Sequence, residues 1–195
     1  MNHINNSQNM NENLPINTNY FNALIAIDFI NILFIGKDPY PSNPNGIPFC
    51  KDNIKDLIKP NCSGKHLLFS LGINVETETK EPNDIFFNLL EKQKIGFVNA
   101  SYYPIKKGLS NLKEIESSEL LNANFFYKSK KIVAVNSSMA ILKKYKKYEA
   151  IKDKIIRVYH PDYRNRISQH KTVRDAWNSV YSRQNGLQIM LENEK

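Results

Sequence analysis

The chain has 195 residues, enough for one domain with a real core and too few for two of ordinary size. Its longest apolar run, ALIAIDFINILFIG, is interrupted by Asp28 and Asn31 and falls short of the roughly 20 apolar residues that a spanning helix needs, so no membrane is expected. The formal net charge of +8 favours polyanionic partners through long-range attraction and counterion release, with solvated lysines that serve no partner as the plain alternative.

In chain order, residues 1–16 are Asn-rich and poor in apolar side chains, which reads as a disordered tail before a single domain spanning 17–195. That segment has neither a basic start nor an apolar stretch, so an intracellular protein, cytoplasmic or nuclear and not secreted, is expected. From Asn17, NTNYFNALIAIDFI carries apolar residues at helical spacing after an Asn or Thr cap, and NILFIG follows as a short strand. Cys50 and Cys62 lack metal-ligand spacing and are too few for a cysteine-held cluster, so they read as free thiols, with no metal and no cofactor implied.

Three further runs read as strands: IGFVNAS at 95–101, KIVAVNSS at 131–138 and KIIRVYHP at 154–161. All are hydrophobic along their length, as parallel strands covered on both faces are. Helical patterns lie at 82–94, 112–130, 137–148 and 171–184. Strands alternating with helices predict βα units and a mostly parallel four-stranded sheet.

Open α/β sheets bind ligands beyond the carboxyl ends of their strands. The four exits carry Lys37-Asp38-Pro39-Tyr40, Asn99-Ala100-Ser101, Asn136-Ser137-Ser138 and His160-Pro161-Asp162-Tyr163-Arg164. One sheet edge would thus gather an acid, an amide, a small polar turn and an imidazole, a suitable set for an active site. Each has a plainer structural reading: Asp before Pro is a common turn, a lone His at a strand end is often structural, and an Asn there can bond loose backbone.

GKDPYP, then GIPF, FVNAS and HPDYR in that order resemble the signatures of the family 1 uracil-DNA glycosylases. The likeness runs over roughly residues 20–184, and Asp-Pro-Tyr-Pro with two arginines after His-Pro is similar to the compact poxviral branch. The resemblance implies a three-layer α/β/α fold with a central, mostly parallel four-stranded sheet. The implied activity is hydrolysis of the N-glycosidic bond of uracil flipped out of DNA, leaving an abasic site in base-excision repair. By the same resemblance Asp38 would activate the attacking water and favour a cationic sugar, and His160 would donate to uracil O2 as charge develops there.

Tyr40 would stand against C5 and exclude the thymine methyl, Phe49 would stack on the base, and Asn99 would read its N3–H and O4. Lys37 replaces a glutamine whose backbone contributes to the base site. Pro41, Ser63, Ser137, Arg164 and Arg166 fall at DNA-gripping positions, with Arg164 where a leucine commonly fills the vacated stack. Pro41 replaces a histidine, and Asp162 a serine beside the phosphate path. Single- or double-stranded uracil-containing DNA is the implied partner of a monomer. A proteinaceous inhibitor or a replication partner stays open, as does a catalytically weak DNA-binding or processivity-type accessory on the same fold. The chain has no G-x-G-x-x-G and no G-x-x-x-x-G-K-[ST] loop, which argues against a nucleotide-binding enzyme of another class.

Overall fold

The computed structural model describes residues 14–39, 45–105, 111–158 and 160–161. Helix α1 (Thr18–Ala26) is capped by Asn17, whose side chain accepts from Tyr20 N–H at 3.0 Å. It stops short of the expected 17–30 because the Lys128 ammonium donates to the carbonyls of Ile25 and Ile27, giving the helix end partners that another turn would otherwise supply. Strand β1 (Ile30–Gly36) follows, then two short helices, α2 (Ile54–Leu57) and α3 (Ser63–Ser70), and the longer α4 (Pro82–Gln93) with proline at its first position.

After β2 (Ile95–Asn99) come α5 (Leu112–Lys128), β3 (Ser129–Val135), α6 (Asn136–Leu142), α7 (Tyr148–Ile151) and β4 (Ile155–Val158). The sheet order is β2-β1-β3-β4 and every pairing is parallel, so the sheet is wholly parallel among the described residues. Of its two central strands, β1 is buried nearly throughout and β3 from Ile132 onward, which is why these stretches read as continuous apolar runs and not as alternating ones.

Both faces are covered. Phe34 and Phe97 stack on one face with centroids 5.5 Å apart, and Phe86 of α4 meets Phe97 edge-on at 4.8 Å. On the other face Leu24 of α1 packs over Gly96 and Leu33, while Phe21 of α1 and Phe125 of α5 form an edge-to-face pair at 5.1 Å. Helices on both sides of a parallel sheet make a three-layer α/β arrangement. Leu14 and Ile16, within the segment read as a tail, already pack against the core.

The single helix expected over 137–148 is a correction. It divides into α6 and α7, because the Glu119 carboxylate accepts from the N–H groups of Lys146 (2.9 Å) and Lys147 (2.7 Å) and so replaces the helical carbonyls they would otherwise use. The expected helix at 171–184 lies outside the described residues.

Candidate active site

Gly36 of β1 lies in register opposite Asn99 of β2, and parallel bonding continues past the strand ends. Ala100 N–H donates to the Gly36 carbonyl and Ser101 N–H to that of Lys37, both at 2.9 Å. The KDP and NAS exits therefore run side by side at the carboxyl edge of the sheet. The chain then turns at 101–103, where Ser101 Oγ accepts from Tyr103 N–H, and Ile105 N–H returns to Asp38 Oδ2 at 2.9 Å. The other carboxylate oxygen, Oδ1, lies 3.5 Å from the Lys37 ammonium. Asp38 is thus aimed by a backbone amide on one side and balanced by a cation on the other.

Gly36 itself is a space-making residue. A Cβ there would stand 2.6 Å from Asn99 Oδ1, 3.3 Å from Pro48 Cβ and 3.7 Å from the Phe49 ring. The missing side chain lets an amide, a proline and an aromatic face converge over bare backbone. Asn99 is only 4% exposed and lines the cleft, and among the described residues nothing hydrogen-bonds its side-chain amide. The amide opens onto the cleft, where a ligand edge offering one donor and one acceptor would pair with it.

Phe49 is buried and has φ of +67°, a left-handed conformation that is a genuine outlier for a bulky side chain. The neighbouring packing imposes it. A Cβ on Gly64 would lie 2.0 Å from the Phe49 carbonyl oxygen, so α3 presses on this peptide with a residue that alone allows the approach. The strain points the Phe49 ring into the cleft, where its centroid lies 6.2 Å from that of His160, tilted by 43°.

The cleft encloses about 320 Å³, at the lower end for sites that take small organic groups. Of the residues expected at the site, Lys37, Asp38, Phe49, Asn99, Ser137 and His160 all line it. Ser63 does not. It is the first residue of α3, buried and away from the cleft lining, and the α3 segment acts on the site by seating Phe49. Tyr40, Pro41, Asp162, Arg164 and Arg166 lie outside the described residues.

No protein-family model and no curated protein matches this chain.

Groups able to hold a metal ion as a cluster of three or more His, Cys, Asp or Glu side chains do not occur among the described residues. None of the described helices is long and apolar enough to cross a membrane. Burial pushes the Cys50 thiol up to about 12, so this neighbour of Phe49 is a packed, protonated side chain and no nucleophile.

Pro48, inside the GIPF stretch, and Asn45, which no sequence motif marks, also line the cleft. Asn45 is held through its Nδ2 by Asn83 Oδ1 at 3.0 Å, a contact between residues 38 apart that no local pattern reveals. The same holds for Asn122 of α5, whose Nδ2 donates to the Asn99 carbonyl.

Proposed function

We propose that this chain is a uracil-DNA glycosylase that flips uracil out of DNA and hydrolyses its N-glycosidic bond. The observation that carries the reading is the meeting of Asp38, Phe49, Asn99 and His160, drawn from four separate segments, around one cleft at the carboxyl edge of the sheet. Each group has a task that the chemistry requires. Phe49 offers an aromatic face to an extruded pyrimidine. The Asn99 amide accepts from N3–H and donates to O4, a pattern that cytosine reverses, so cytosine would leave buried polar atoms unpaired.

Asp38 lines the same cleft two residues beyond Gly36, held by Ile105 N–H, where a carboxylate can orient water and favour a sugar that becomes cationic as the bond breaks. His160 faces Phe49 across the ring space and would donate to the uracil oxygen on which negative charge appears. A donor of this kind acts mainly in the transition state and so contributes to rate more than to ground-state binding. By the sequence resemblance, Tyr40 excludes the thymine methyl, and Ser137, Pro41, Arg164 and Arg166 contact the DNA strand. The net charge of +8 supports a polyanionic substrate.

The test is direct. Purified protein should release uracil from a single-stranded oligonucleotide without added metal and leave an alkali-labile abasic site. Asp38→Asn and His160→Leu should each slow release by about 10²–10⁴-fold. Intact DNA binding with no release in any sequence context would reject the reading in favour of an accessory DNA-binding role.

A further inference from the structure

Helix α5 carries a buried polar face: Ser118 and Asn122 are wholly buried and Glu119 nearly so. A helix packed on a sheet ordinarily presents apolar residues there, and each of these three instead grips backbone. Ser118 Oγ accepts from Tyr102 N–H at 3.1 Å, and Glu119 holds the 146–147 turn. Asn122 holds the exit of β2, its Nδ2 donating to the Asn99 carbonyl at 2.8 Å and to the Tyr145 hydroxyl at 3.2 Å.

Two tyrosines complete the set. Tyr102 O–H donates to Asn122 Oδ1 at 2.8 Å, and Tyr145 O–H donates to the Ala100 carbonyl at 2.5 Å. Every donor and acceptor direction in this chain is therefore determined: Tyr102 to Asn122, Asn122 to both Asn99 and Tyr145, Tyr145 to Ala100. Burial raises both phenols above their ordinary range, so they stay donors at any physiological pH. A fully satisfied buried network of this kind fixes one backbone arrangement.

We infer that Asn122, supported by Tyr102 and Tyr145, is a positioning residue that holds the Asn99–Ala100 backbone from behind. It thereby sets where the Asn99 amide stands in the cleft and which pyrimidine edge that amide can pair with. The inference rests on the glycosylase reading for the identity of the ligand, though not for the mechanical link. The link follows from the geometry: the Asn99 and Ala100 carbonyls are held from α5 and from Tyr145, while the Asn99 side chain meets the space over Gly36.

The experiment compares Asn122→Leu, which keeps the volume and deletes the bonds, with the milder Tyr145→Phe, which deletes one hydroxyl. Hydrogen exchange is followed at the Ala100 and Ser101 amides, with the amides of α4 as a control for global stability. Exchange at Ala100 and Ser101 should quicken by about tenfold or more while α4 is unchanged. The ratio of uracil to cytosine release should fall in the same variants, with the loss in kcat for uracil, and an Asn99→Ala background should abolish the effect of Asn122→Leu on rate.

Unchanged protection at both amides in a folded Tyr145→Phe protein overturns the inference, as does a rate loss that adds fully to that of Asn99→Ala. If the parent protein releases no uracil, the glycosylase reading fails, and the exchange measurement still decides whether the network positions the β2 exit.

Discussion

At the scale of single residues, the cleft depends on two backbone decisions, the absence of a side chain at Gly36 and the left-handed turn at Phe49. Gly36→Ala puts a methyl 2.6 Å from Asn99 Oδ1 and 3.3 Å from Pro48 Cβ, and the nearest atom to yield is the amide that is proposed to read the base. The fold should survive, because the collision is with a side-chain terminus, while kcat/KM for uracil release drops by about 10–100-fold. Wild-type kinetics in a folded Gly36→Ala protein would disprove the convergence of Asn99 and Phe49 over residue 36. Phe49 allows a second test on stability. Glycine ordinarily destabilises relative to alanine, yet with φ at +67° the order should invert. Phe49→Gly should be more stable than Phe49→Ala by about 1 kcal/mol in urea titrations, although both lose the ring and with it the stacking.

Elements are held together here by long side chains that end on backbone, and α5 is the centre of that arrangement. Its Glu119 carboxylate takes two amides of the 146–147 turn, the contact that separates α6 from α7. Glu119→Ala leaves two amides to find other partners and should cost about 2–4 kcal/mol, with Glu119→Gln losing less because one acceptor oxygen remains; equal denaturation midpoints for the parent and Glu119→Ala would refute this role. The same contact explains what was legible in the sequence and what was not. The strands β1, β2 and β3 could be read because burial leaves uninterrupted apolar runs such as Ile32–Ile35 and Ile132–Val135, whereas β4, with only Val158 buried, shows in the sequence as a short apolar run around Arg157. The ends of those runs mark the strand exits, where Asp38, Asn99, Ser137 and His160 stand. The break between α6 and α7 was not legible, since Leu142 through Tyr148 keep helical spacing and the competing acceptor lies 27 residues away from Lys146. The DNA-gripping place that the resemblance gives Ser63 fails for a similar reason: the close approach of α3 to the Phe49 carbonyl is a tertiary contact. Asn122 gave no signal at all, because an Asn within an amphipathic helix looks like a solvent-facing residue until its partners are known.

For the whole molecule, burial of weak acids predicts how stability changes with pH. Cys50 ionises at about 9 when exposed and at about 12 in the folded protein, mainly because burial disfavours the thiolate. Below pH 9 both states hold the proton and the contribution of this group is fully present. Between about 9 and 12 the unfolded chain releases the proton while the native protein keeps it, so each step in pH favours unfolding. Tyr20, Tyr102 and Tyr145 act in the same direction from about pH 10 upward, each raised chiefly by burial. A fully offset group contributes a slope of about 1.4 kcal/mol per pH unit, so several groups together should make the alkaline loss steep. The net charge of +8 works against this, because neutralising lysines relieves mutual repulsion. Repulsion among exposed lysines, however, is screened by salt, so the buried acids should win. The urea midpoint should therefore be level from about pH 7 to 8.5 and fall progressively above pH 9, with Cys50→Ala moving the onset toward pH 10. A midpoint that holds or rises up to about pH 10.5 at moderate salt would show that charge repulsion, and not the burial of these four groups, governs the alkaline stability of the fold.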